Sequence, residues 1–113
     1  MTCIFCQIIE GSAPAEILFS DDQVTAFQDA HPIAPVHILL VPNIHISSLN
    51  EIEPGHESLV GHMMTVAHLL AREHGVHQSG YRVVFNTGPD AGQSVFHLHA
   101  HILGGRVLPF HFK

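Results

Sequence analysis

The stretch that decides the fold is VFHLHAHILGG, Val95 to Gly105, in which His97, His99 and His101 alternate with Leu98, Ala100 and Ile102. Successive side chains of an extended strand point to opposite faces, so the pattern predicts a strand with one imidazole face and one apolar face. At about 3.3 Å per residue, neighbouring imidazoles stand roughly 6.6 Å apart, too far to hydrogen-bond each other, and each must have a separate task. Polar groups on one face of an otherwise apolar strand must be satisfied by partners or used chemically.

The flanks point to use. Thr87-Gly88-Pro89-Asp90-Ala91-Gly92-Gln93, with Ser94, leads into the strand, and Gly104-Gly105 leaves it. Glycines here are expected to let a ligand approach the backbone closely. Free amides of such a loop, with Ser94, form an anion cradle that needs no net positive charge. It is not a Walker loop, because no Gly-Lys-Ser/Thr follows. A phosphate cradle beside a row of imidazoles implies nucleophilic catalysis at phosphorus, with no catalytic metal required. His99, at the centre, is the expected attacker, and His101 the expected partner of a non-bridging oxygen. For His99 to attack, its other ring nitrogen should donate to a carbonyl, which fixes the tautomer.

Outward from this strand, the chain reads as one α+β domain over residues 1–113. Residues 3–14, CIFCQIIEGSAP, predict a short helix with Ile4, Ile8 and Ile9 inward, stopped by Gly11 and Pro14. EILFS and VTAFQD predict two strands joined by a tight hairpin at Ser20-Asp21-Asp22-Gln23. Prolines at 32, 35 and 42 bracket a short strand, Val36 to Val41, apolar on both faces. One long helix follows Pro54, with Leu59, Met63, Val66 and Leu70 at helical spacing and Gly75 as its left-handed stop. YRVVFN and SVFHLHAHILGG supply the last two strands of a mainly antiparallel sheet.

The chain has 113 residues, 46% of them hydrophobic and 12% charged, with a formal charge of −6. That apolar share exceeds what a small monomer hides comfortably, and a symmetric homodimer is expected. The negative charge argues against nucleic-acid binding. No apolar run reaches the roughly 18 residues of a membrane span, and no signal segment opens the chain, so no membrane association and a cytoplasmic location are expected. In such a compartment the Cys3-x-x-Cys6 pair reads as metal-binding or redox-active rather than a structural disulfide.

Of the twelve histidines, most carry no chemistry. His56, His62, His68 and His74 recur every six residues, about 240° round a helix per step, so they line no single face and are expected at the surface. His31, His77 and His111 fall in loops or the tail.

His97-Leu98-His99-Ala100-His101-Ile102-Leu103 resembles the histidine-triad motif, His-φ-His-φ-His-φ-φ. The likeness extends through IFCQII, AFQDAHPIAPVHILLVP, ESLVGHMMTVA, GYRVVFNTGPDAGQSV and HILGGR. It is similar to the Hint branch of the histidine-triad family rather than to the galactose-1-phosphate uridylyltransferases, which carry glutamine where His101 stands. The resemblance implies five strands, one long and one short helix, and a dimer that joins two sheets into one of ten strands. It implies hydrolysis of purine nucleoside phosphoramidates and related adenylates through a nucleotidyl group on His99. His101 would contact the α-phosphate, and Ser94 would assist the leaving amine. Asn86 and Gln93 would position phosphate and ribose, Asp29 would bind the ribose hydroxyls, and His37 would support the catalytic histidines. It also implies a structural zinc held by Cys3, Cys6, His45 and His97, a closed two-thiolate, two-imidazole set. A dinucleoside polyphosphate hydrolase and a nucleotide-binding interaction protein with vestigial turnover remain the alternatives. The tail RVLPFHFK, Asn43 and Ala30 depart from the pattern of relatives, which bears on leaving group and base selectivity.

Overall fold

The structure is a computed structural model, and it describes residues 3–109. Its centre is a five-stranded, fully antiparallel sheet in the order β1-β2-β3-β5-β4. The strands are β1 (Ile17–Ser20), β2 (Val24–Gln28), β3 (Val36–Pro42), β4 (Tyr81–Val84) and β5 (Ala100–Gly104). Asp21 closes the β1–β2 hairpin by accepting bonds from the amides of Gln23 and Val24, each at 2.8 Å.

Period-two alternation gives this sheet two different faces. Val24, Ala26, Ile38, Leu40, Leu98, Ala100 and Ile102 form one core with Leu59, Met63, Val66, Ala67 and Leu70, which come from α2 (Glu57–Glu73). Phe27, Leu39 and Val41 face the other way and pack on Phe5 and Ile8 of α1 (Ile4–Glu10). β3 therefore sits between two apolar layers, as its unbroken run of large residues predicts. Burying a side chain such as Met63 or Leu70 contributes about 1.5–3 kcal/mol, and α2 supplies several.

The helix ends follow their sequence signals. Gly11 at φ +87° caps α1, and Gly75 at φ +76° follows α2, both in a region that favours glycine. A 3₁₀ turn over Pro54–His56 leads into α2.

Four expectations are corrected. Phe5, 6% exposed, turns inward in place of Ile4, 43% exposed, because the face of α1 over the sheet runs through Phe5 and Ile8. The last strand begins at Ala100, since residues 95–97 form a bend. The helix histidines are not all surface groups. His62 Nε2 lies 2.7 Å from Asp21 Oδ2, tying α2 to the hairpin, and the Glu53 amide donates to His56 Nδ1. Burial pushes the Asp21 carboxyl up, but bonds from His62 and the two hairpin amides outweigh it and hold the group below its usual range. Finally, Gly104 and Gly105 serve packing within the fold rather than ligand approach. A Cβ at Gly104 would lie 3.0 Å from Val76, and one at Gly105 2.8 Å from Pro35. His111 lies outside the described residues.

Candidate active site

The imidazole alternation survives the bend. Leu98, Ala100 and Ile102 enter the α2 core, and the histidines face α1, where the Phe5 ring meets those of His97 and His99 edge-on at 5.9 and 5.1 Å. The His99 and His101 rings stand 5.0 Å apart, nearer than an ideal strand places them.

Each histidine has a tautomer set by its neighbours. His97 Nε2–H donates to the Pro42 carbonyl at 2.8 Å, which leaves Nδ1 as a lone pair. His99 Nδ1–H donates to the His97 carbonyl at 2.7 Å, which leaves Nε2 as a free lone pair. The third assignment starts on β3. The Ile33 amide donates to His37 Nδ1 at 3.1 Å, so the ring hydrogen of neutral His37 is on Nε2. That atom is 3.0 Å from His101 Nδ1, and His101 in turn keeps its hydrogen on Nε2 as a donor. Leu39 pairs with His101 across β3 and β5, so His37 reaches His101 as the diagonal neighbour on one sheet face. Burial, then the neighbouring His99 and His37, push His101 down to about 4, and burial lowers His37. Both are neutral at pH 7.

His99 and His101 open into a cavity of about 770 Å³, walled by Ile4, Phe5, Ile8, Phe27 and Leu39 and bordered by Asp29, Ala30 and Ser94. This size suits a drug-sized ligand with one apolar slot and one polar end. Ser94 is exposed and also borders a second cavity of about 410 Å³ with Ser47, Val95 and Phe96. His37 stands behind His101. Asn86 and Gln93 are not among the residues lining the larger cavity. The Gln93 carboxamide accepts from the Gly88 amide and donates to the carbonyls of Ser47 and Val95, so it braces the loop that carries Ser94. Sequence reasoning missed Phe5, Ile33 and Pro42. Phe5 was within reach, as an aromatic between two cysteines, whereas Ile33 and Pro42 act through backbone atoms that leave no side-chain signal.

The cysteine cluster is assembled from three separate parts of the chain. Cys3 and Cys6 lie one helical turn apart at the start of α1, His45 follows β3, and His97 precedes β5. Their donor atoms all lie within 4.8 Å of one another. Cys3 Sγ is 3.4 Å from His97 Nδ1, and Cys6 Sγ is 3.4 Å from His45 Nδ1 and 3.5 Å from His97 Nδ1. A tetrahedral zinc, with bonds of about 2.3 Å to sulfur and 2.0–2.1 Å to nitrogen, sets a sulfur–nitrogen edge of about 3.5 Å. The donor set and its spacing fit zinc.

Residues 10–108 match the HIT domain. The chain belongs to the HIT family. It is 47% identical, over 93% of its own length and 88% of the relative's, to the purine nucleoside phosphoramidase of Escherichia coli strain K12. Its fold matches that of a HIT family hydrolase from Legionella pneumophila with a TM-score of 0.95 at 38% identity, covering 96% and 97% of the two chains. A zinc-bound histidine-triad protein from Mycobacterium smegmatis matches with a TM-score of 0.79 at 32% identity, covering 94% of this chain and 76% of its own. This HIT protein is an enzyme of the hydrolase type.

Proposed function

We propose that this HIT protein hydrolyses purine nucleoside 5′-monophosphate phosphoramidates and related adenylates through a nucleotidyl group carried on His99. The observation that carries the reading is the bond from His99 Nδ1–H to the His97 carbonyl, which presents a bare Nε2 lone pair to the large cavity. The purine lies in the apolar slot of Ile4, Phe5, Ile8, Phe27 and Leu39, and Asp29 takes the ribose hydroxyls. Ala30, small at the rim, leaves room for either purine. His101 Nε2–H and the amides near Ser94 hold the phosphate oxygens, and Asn86 and the Gln93-braced loop set its position.

His99 Nε2 attacks phosphorus, and the bond from phosphorus to the amine breaks. The Ser94 hydroxyl relays a proton from solvent to the nitrogen of the departing amine, and a proton goes back to solvent when water attacks in the second step. Water then attacks the phosphohistidine, the bond to His99 breaks, and the nucleoside monophosphate is released. His37 holds His101 as a donor throughout. The E. coli relative's name supports the substrate class.

Cys3, Cys6, His45 and His97 hold a structural zinc, as the zinc-bound relative supports. When bound, zinc joins α1 to the segment before β5 and leaves catalysis to the imidazoles. The protein acts as a cytoplasmic homodimer, with the sheet of one protomer extended by that of its partner.

The test is rapid quench with an adenosine phosphoramidate followed by intact-mass measurement, which is expected to show one nucleotidyl adduct that is absent in His99→Ala. That variant should lose turnover by roughly a thousand-fold or more and still bind nucleotide. An adduct on another residue, or clear preference for diadenosine polyphosphate, overturns the reading.

A further inference from the structure

Cys3 and Cys6 are free thiols, both half-buried, and their setting suits a second chemistry besides metal ligation. Cys3 is the residue that caps α1, and its backbone, at φ −78° and ψ 118°, is still extended. Its side chain folds back over the first turn, where Sγ accepts from the Cys6 amide at 3.4 Å. The two sulfurs lie within 4.8 Å of each other, so a bond between them asks for movement in the first turn of α1 and nowhere in the sheet. Cys3 also lines the cavity of about 410 Å³, beside His45, Ser47 and Phe96, which gives a small oxidant a path to its sulfur. The two residues between the cysteines are Ile4 and Phe5. Both line the large cavity, and the Phe5 ring meets that of His99 edge-on at 5.1 Å. Whatever shifts the first turn of α1 therefore reshapes the apolar wall of the candidate active site.

We infer that Cys3 and Cys6 are a site of reversible oxidation, at which hydrogen peroxide converts the thiolate pair to an intramolecular disulfide, expels the structural zinc and weakens nucleotide binding. A ligand of zinc is a thiolate, and the thiolate is the form that reacts. The Cys3 sulfur attacks one peroxide oxygen, the O–O bond breaks, and the departing oxygen takes a proton from solvent to leave as water. The Cys6 sulfur then attacks the Cys3 sulfenic acid. The S–S bond forms, the S–O bond breaks, and the hydroxide takes a second proton and leaves as water. Two electrons have passed from the sulfur pair to one peroxide. Zinc bonds of about 2.3 Å hold two sulfurs about 3.8 Å apart, whereas a disulfide needs about 2.05 Å, so the two states exclude each other. His97 keeps its bond to the Pro42 carbonyl and His99 keeps its bond to the His97 carbonyl. The effect accordingly falls on the wall formed by Ile4 and Phe5, on binding more than on the attacking nitrogen. Zinc release rests on the proposed zinc site and weakened binding on the proposed nucleotide reading, whereas disulfide formation rests on neither.

The experiment treats full-length, zinc-loaded protein with hydrogen peroxide and follows released zinc with a chromophoric chelator, against a sample that receives chelator alone. Release is expected to run in step with a fall of about two mass units in the intact chain, one hydrogen from each thiol. Digestion should then place the cross-link between Cys3 and Cys6, and dithiothreitol with fresh zinc should restore both mass and metal. Binding of adenosine 5′-monophosphate should weaken about ten-fold on oxidation and recover on reduction. Cys6→Ser, whether or not it holds zinc, should gain oxygen at Cys3 instead of losing two hydrogens. The proposal is overturned if the wild-type thiols gain oxygen without cross-linking, if the cross-link joins two chains, if zinc stays bound to the cross-linked form, or if both forms bind the nucleotide equally well. Protein that takes up no zinc sinks the zinc reading, and reduced protein that binds no nucleotide sinks the nucleotide reading. In either case the mass shift still decides the disulfide.

Discussion

Gly105 holds φ at +95°, and a methyl group there would sit 2.8 Å from Pro35 Cβ. Both the backbone conformation and the ring behind it oppose a side chain. Gly105→Ala is therefore expected to lower stability by about 1–3 kcal/mol, read as a lower denaturant midpoint with an unchanged slope. An unchanged midpoint would mean that the β5 exit relaxes freely. The same residue shows what is legible at this scale. Its glycine is visible in the sequence, but its reason is not, since Pro35 lies seventy positions away and meets it only through the β3–β5 pairing. The triad was readable because alternation is a local property of a strand. The tautomers were not, because the Pro42 and His97 carbonyls and the Ile33 amide set them, and backbone groups look alike in every residue.

Among the elements, α1 is the one most dependent on its surroundings. Seven residues cannot sustain a helix in water, where about 12–15 are marginal. Its hold on the sheet comes from Phe5 and Ile8 packed on Phe27, Leu39 and Val41, and from the thiols beside His97 and His45. On the proposed zinc reading, a chelator deletes the second hold and leaves the first. Hydrogen exchange should then rise in residues 3–10 while the buried turns of α2 stay protected. Equal protection before and after chelation would show that the apolar contacts suffice alone. The sequence placed this helix correctly between residues 3 and 14 but chose Ile4 over Phe5 for its buried face, because seven residues are too few for periodicity to fix a phase. The seventeen residues of α2 gave no such ambiguity, and Leu59, Met63, Val66 and Leu70 are all buried as their spacing requires.

At the scale of the whole molecule, the composition leaves apolar surface that one chain does not cover. Leu49, Met64 and Leu69 are each between 40% and 45% exposed. The strand order leaves β4 at an edge of the sheet. Tyr81 and Val83 of β4 pack partly against the core that α2 covers. Among the described residues the outer edge of β4 has no strand partner, and on the proposed homodimer reading a second copy covers it through a two-fold axis, each strand donating to the other. Sedimentation should accordingly give twice the 12.4 kDa chain mass. Met64→Glu combined with Leu69→Glu is expected to give monomers with an intact fold, because both side chains are exposed in the single chain and charge there opposes only association. If the doubly charged variant stays dimeric, the partner lies elsewhere, and if the unmodified protein sediments as a monomer, the excess of apolar residues serves only the two layers of core around β3.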